Sequence, residues 1–205
     1  MLGNLLENED FDHSISVNRR NPLRRQVSMT QLNIEIKARC HSQSVIREIL
    51  KLHNAEFKGV DHQIDTYFKV SSGRFKLREG NIENSLIHYD REDIIGPKKS
   101  NVTFYKSIDK SSLKEILTKA LGVLVEVDKT REIYFIDNVK FHVDDVKNLG
   151  SFVEIEAIDF DGKFGKDKLY EQCQYYLDLF KISKDDLISN SYSDLLLEKL
   201  SHELH

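Results

Sequence analysis

Between Asn33 and Arg39 the chain alternates strictly: Ile34, Ile36 and Ala38 fall on one side, Glu35, Lys37 and Arg39 on the other. That is the period-two pattern of a strand with one buried face. The same alternation recurs in Arg74-Phe75-Lys76-Leu77-Arg78, in Val139-Lys140-Phe141-His142-Val143-Asp144 and in Phe152-Val153-Glu154-Ile155-Glu156. Further strands are expected over 63–68, 85–91, 101–108 and 124–135. Asp137-Asn138 separates two of these runs as a tight-turn signal, so 124–144 reads as a long hairpin.

Helical periodicity interrupts the strands in a few places. Ser112-Leu113-Lys114-Glu115 has the form of a capping box, and Leu113, Ile116, Leu117, Ala120 and Leu121 follow at helical spacing before Gly122. A shorter helix is expected over 44–53, with Ile46, Ile49 and Leu50 inward. The stretch 166–180 carries a stripe of Leu169, Cys173, Tyr176, Leu177 and Phe180, and 184–200 is expected to hold one or two short helices. About eight strands in close succession, with apolar-striped helices between them, predict an α+β fold: an antiparallel sheet or barrel covered on its outside.

Parity then assigns the charges. If helices cover the apolar faces, the opposite faces carry Glu35, Lys37, Lys76, Arg78, Lys129, Arg131, Lys140, His142, Asp144, Glu154 and Glu156 on one concave surface. Alternating charge is also the ordinary way to solvate an exposed sheet face. Two details favour a site. The cations Lys76/Arg78 and Lys129/Arg131 each share a face, and Glu154/Glu156 form an acidic doublet of the same kind. Clustered cations neutralise phosphate oxygens, and carboxylates hold a hard divalent metal that bridges them. His142 is expected to donate a hydrogen bond, and the lysines of Gly96-Pro97-Lys98-Lys99-Ser100 to be solvated in a turn.

Composition sets outer limits. The 205 residues carry a net charge of −4, 31% charged residues, 2 Pro, 9 Gly and no Trp, which describes a globular chain. No apolar run approaches the ~20 residues of a spanning helix, and slight acidity argues against nucleic acid as partner. Cys40 and Cys173 lack zinc or disulfide spacing, which points to a reducing, cytoplasmic setting. Residues 1–30 mix Arg19, Arg20, Arg24 and Arg25 with four acids and read as a disordered, non-targeting extension. Within it, Arg25-Gln26-Val27-Ser28 has the basic-then-serine form of a phosphorylation site, a form that recurs by chance.

Several segments together resemble the CYTH superfamily, the triphosphate tunnel metalloenzymes. They are Asn33-Ile34-Glu35-Ile36-Lys37, Asp65-Thr66-Tyr67-Phe68, Gly73-Arg74-Phe75-Lys76-Leu77-Arg78-Glu79, Lys129-Thr130-Arg131 and the run from Val143 to Glu156. Ser191-Tyr192-Ser193-Asp194-Leu195-Leu196 is most similar to the class IV adenylyl cyclase branch; thiamine triphosphatase is a relative. The resemblance implies an eight-stranded antiparallel tunnel with a charged interior, a domain over 31–200. It also implies Mg²⁺ or Mn²⁺ on Glu35, Asp144, Glu154 and Glu156, and a triphosphate held by Lys76, Arg78, Arg91, Lys106, Lys129, Arg131 and Lys140. Lys37 and Tyr67 take the catalytic positions. Asn33 stands where the motif has its first Glu, which removes one charge and leaves an amide oxygen. The expected activity is a metal-dependent phosphohydrolase acting on a triphosphate-bearing small molecule. The alternatives are a cyclase making cyclic AMP and pyrophosphate from ATP, and a catalytically weak polyphosphate-binding module. A homodimer is plausible from the branch resemblance.

Overall fold

A computed structural model of the chain describes residues 29–91, 93–106, 112–160 and 162–203. The expected extension and its serine motif therefore lie outside the described residues, apart from 29 and 30. Eight strands form a closed, wholly antiparallel barrel: β1 (Met29–Arg39), β2 (Glu56–Phe68), β3 (Arg74–Gly80), β4 (Ser85–Arg91), β5 (Lys98–Lys106), β6 (Val123–Ile136), β7 (Val139–Val146) and β8 (Gly150–Asp159). Their order around the barrel is β1-β5-β4-β3-β2-β6-β7-β8, and β8 closes onto β1 with Glu35 opposite Glu156 and Lys37 opposite Glu154.

The alternating strands build a wall with two unlike faces. Outside, Ile34, Ile36, Ala38, Val139, Phe141, Val143, Val153, Ile155 and Ala157 form one apolar surface. Two helices cover it, α1 (Gln43–Leu52) through Ile46 and Leu50, and α3 (Gly165–Leu179) through Leu169, Cys173 and Leu177. This is the arrangement their apolar stripes predict.

Helix α2 (Leu113–Leu121) departs from expectation. It buries none of its side chains, and Ser112 makes no capping bond. Glu115 pairs with Lys119 instead. The reason lies in the neighbouring sheet: the outer faces of β2 and β6 carry polar pairs, Thr66 with Glu126 and His62 with Asp128. An amphipathic helix beside them has little apolar surface to bury against.

The last element, α4 (Tyr192–Glu203), closes one end of the barrel. There Tyr192 and Leu196 pack with the inward-facing Tyr67, Val125, Val127, Val146 and Phe152 as a second apolar cluster. β1 loses its β5 partner after Glu35, and the incoming segment replaces it: Leu187 bridges Ala38, and Ile188 donates to the Lys37 carbonyl. Lys98 fastens this segment. Rather than sitting solvated in a turn, it is 1% exposed, starts β5 and donates to the carbonyls of Ile188 and Ser189. Arg74, at the start of β3, adds an ion pair to Asp194 of α4.

Candidate active site: the barrel interior

A cavity of about 380 Å³ runs inside the barrel. Every strand contributes to it, because side chains two apart on a strand point the same way. Glu35 and Lys37 come from β1, Asp65 and Tyr67 from β2, Lys76 and Arg78 from β3, Lys129 and Arg131 from β6, Lys140 and His142 from β7, and Glu154 and Glu156 from β8. Lys106 lines its end opposite α4, where β5 pairs with Ser85 at the start of β4. Arg91 closes β4; its side chain lies outside the described residues.

The cations are held by carboxylates in three groups. Asp65, 1% exposed, receives Lys76 at 2.7 Å, Lys129 at 2.7 Å and a two-pronged contact from Arg78 at 2.8 and 2.9 Å. Burial opposes its charge, but Arg78, Lys129 and Lys76 outweigh burial and hold its carboxyl well below the usual range. Lys129 carries the opposite strain. Burial, with repulsion from Arg78, Arg131 and Lys76, overcomes the attraction of Asp65 and lowers its ammonium to about 7.

Glu83 forms the second group. It lies between β3 and β4 and bridges Arg78 to Lys140, strand β7's cation. Its loop is pinned from below: the buried Asp61 accepts the backbone N–H of Ile82 and of Glu83. A Cβ on Gly80 would meet the Asp61 carboxylate at 2.7 Å, so glycine is what permits this close approach.

The third group surrounds Glu154. Lys37 reaches it at 3.0 Å, Arg131 at 2.8 Å and the His142 Nδ1 at 3.0 Å. Burial, Arg131 and Lys140 lower the His142 imidazole to about 4 despite Glu154. The neutral ring's Nε2 is buried without a partner.

Two expected residues are placed differently from their expected roles. Asp144 does not line the cavity; fully buried, it is spanned by Arg131 at 2.7 and 2.5 Å and receives the Tyr192 hydroxyl at 2.8 Å. The Tyr67 hydroxyl meets Lys76 at 3.2 Å and Tyr89 at 3.4 Å. The tyrosine against Lys37 is Tyr192, whose ring centre lies 3.8 Å from the Lys37 ammonium.

With this geometry in place, comparison with known proteins is decisive. The CYTH domain profile matches residues 31–187. The chain belongs to the CYTH domain family. A Methanocaldococcus jannaschii protein, provisionally named an adenylate cyclase, is 29% identical over 173 residues, 80% of this chain and 98% of that one. The PH1012 protein of Pyrococcus horikoshii superposes with a TM-score of 0.68 at 21% identity, over 80% of this chain and 98% of its own. A Hippeastrum protein, provisionally an adenylyl cyclase and described as having a dominant triphosphatase activity, gives a TM-score of 0.51 at 15% identity, over 82% and 96%. These likenesses fix the barrel as the CYTH tunnel.

CYTH enzymes are generally metal-dependent, and the donor chemistry of this CYTH barrel is compatible with a hard divalent ion. Among the described residues no three His, Cys, Asp or Glu gather into a cluster able to hold a metal by themselves. Mg²⁺ needs less, because it takes one or two carboxylates and keeps water or phosphate oxygens. Glu35 and Glu156 lie opposite each other, and Asn33 bonds Glu156 through Nδ2 while its buried Oδ1 has no partner. An unsatisfied amide oxygen beside two carboxylates is an all-oxygen donor set of the kind Mg²⁺ or Mn²⁺ takes.

Sequence reading missed Glu83, the central role of Asp65 and the position of Tyr192. Glu83 lies in a loop with no periodic signal. Asp65 and Tyr192 stood within matched motifs, yet which cations and which lysine they meet depends on barrel closure.

Proposed function

We propose that this protein is a divalent-metal-dependent phosphohydrolase acting on a triphosphate-bearing small molecule bound in the barrel. The observation that carries the reading is the enclosure of Lys76, Arg78, Lys129, Arg131 and Lys140 in one cavity with the Glu35–Glu156 pair. So many converging cations suit a compact polyanion.

Hydrolysis joins a water oxygen to the terminal phosphorus and breaks the bridging bond to the leaving diphosphate, with the reacting oxygens in line. The chain's part is alignment and charge neutralisation. Lys76, Arg78 and Lys140 trade carboxylate partners for phosphate oxygens, while Asp144 and Tyr192 keep Arg131 aimed inward. Lys37, held between Glu154 and the Tyr192 ring, faces the reacting group, and the neutral His142 offers Nε2 as a proton acceptor. Mg²⁺ or Mn²⁺ on Glu35, Glu156 and the Asn33 oxygen, when bound, would polarise phosphoryl oxygens. Asp144 is assigned to Arg131 and not to the metal, and Glu154 to the cations around it.

The cyclase reading is favoured by the name of the Methanocaldococcus relative, and it uses the same grip with a ribose hydroxyl as nucleophile. Incubation of the full chain with ATP, inorganic triphosphate and thiamine triphosphate, with Mg²⁺ or Mn²⁺, separates the two. Release of phosphate is expected, and Glu35→Gln with Glu156→Gln should abolish it. Cyclic AMP with pyrophosphate as the main products would replace the hydrolase reading with the cyclase one, and binding without turnover would overturn both.

A further inference from the structure

The cavity reaches solvent at the barrel end away from α4. There, where Ser85 pairs with Lys106, the cavity-lining residues Ile82 and Lys106 are exposed. β1 starts at this same end: Met29 pairs with Phe104, a lining residue two positions from Lys106. The chain before Met29 therefore leaves the barrel at the rim of its mouth.

The stretch that meets the rim is basic. Residues 13–28 contain Arg19, Arg20, Arg24 and Arg25 and no acid, since Glu7, Glu9, Asp10 and Asp12 all come earlier. It also precedes the CYTH match, which begins at residue 31. An extended chain covers up to ~3.5 Å per residue, so Arg25 can reach about 14 Å from Met29 and Arg19 about 35 Å. Eight strands ~4.8 Å apart enclose a mouth on the order of 15 Å across. All four guanidinium groups can thus stand over it.

The charges of the rim make that approach conditional. Its carboxylate Glu83 is bridged by Arg78 and Lys140, and Glu56 at the start of β2 pairs with Lys58. Arg78, Lys140 and Lys106 against Glu83 leave the mouth cationic, which repels an arm of the same sign. A polyphosphate in the barrel reverses this, and arginine forks grip phosphate oxygens in two-pronged contacts.

We infer that the segment 19–25 closes over the barrel mouth when a polyphosphate is bound, with its arginines on the outermost phosphate oxygens. The inference rests on the triphosphate reading and adds to it a cover that depends on occupancy. Ordering the segment costs conformational entropy, which the contacts to the bound anion offset.

The test uses the full chain and inorganic triphosphate with Mg²⁺. Trypsin cleavage after Arg19, Arg20, Arg24 and Arg25, followed by mass spectrometry, should slow several-fold when triphosphate is added. A free peptide of residues 13–28 in the same tube should be cut at an unchanged rate, which assigns the protection to the barrel. In calorimetric titration, a variant with all four arginines changed to Gln should bind triphosphate about tenfold more weakly, the size expected of four solvent-exposed ion pairs. Its thermal melt should match the parent's; if it does not fold, the cleavage comparison on the parent decides. Cleavage of the arm unmoved by triphosphate, equal protection of the free peptide, or a folded variant that binds as tightly as the parent overturns this inference and leaves the triphosphate reading standing. Failure of the parent to bind triphosphate overturns both.

Discussion

Asp65 and Lys129 show how a single contact can be both stabilising and poised. Three cations share one buried carboxylate, so Lys129 is held in a place where its charge is disfavoured, with its ammonium lowered to about 7. A lysine whose folded value lies below its free value binds fewer protons folded than unfolded. Its contribution therefore makes the protein more stable as pH rises from about 7 to about 10. A polyanion beside it reverses the balance by favouring the charged form. Triphosphate binding at pH 8 should accordingly take up a proton, read as a binding enthalpy that varies with the ionisation enthalpy of the buffer. Lys129→Met should abolish that dependence, and an uptake unchanged in the variant would remove Lys129 from the phosphate grip.

The loop between β3 and β4 sets a carboxylate against two of the cations that phosphate would need. Glu83 bridges Arg78 and Lys140 across the cavity, and the pair it satisfies is the pair it withholds. Glu83→Gln should tighten triphosphate binding several-fold while lowering stability by about 1–3 kcal/mol, because two inward cations lose a charged partner. Opposite signs in titration and in denaturant unfolding are the expected result; weaker binding would make Glu83 part of the grip. Neither this loop nor its pinning by Asp61 was legible in the sequence, since loops carry no periodicity and their contacts are long-range. The strands were legible wherever one face was apolar. The first half of β2 was missed because Glu56 to His62 are mostly polar and Gly59 interrupts the register against β6. Lys98 and α2 were misjudged for one reason: burial depends on what lies opposite, which local pattern does not contain.

Taken across the whole barrel, the interior is a charge-balanced polar core whose carboxylates must stay ionised. Asp65 and Glu154 are held well below the usual range: burial opposes their charge, and nearby cations outweigh it. A carboxylate whose folded value is depressed contributes stability that is complete above its unfolded value, about 4. That stability drains as pH falls below it. Thermal stability should therefore weaken as pH falls from about 6.5 to about 4, where the buried His142 imidazole stays neutral while the unfolded one charges, and fall more steeply below about pH 4. Asp65→Asn should cost about 3–5 kcal/mol at neutral pH, because it leaves three cations without their shared acid, and should flatten the acid limb. A variant as stable as the parent in denaturant unfolding would show that the cations find other partners.

The sequence by itself determined the eight strands' main alternations, the two helices that carry apolar stripes into contact, α1 and α3, and the identity of most interior cations. Period-two alternation assigns each side chain to a face whatever the strand pairs with, and the motifs carry the CYTH resemblance without any coordinates. Only the tertiary structure decided which charges meet. Closing the barrel β8 onto β1 brings Lys37 to Glu154 and leaves Glu35 facing Glu156, and docking α4 into one end puts the Tyr192 ring on Lys37 and its hydroxyl on Asp144. Those pairings join residues up to 155 positions apart, such as Lys37 and Tyr192, and no local pattern carries information over that separation. The net charge of −4 likewise says nothing of a cavity whose cations are gathered inward, because a sum does not record position.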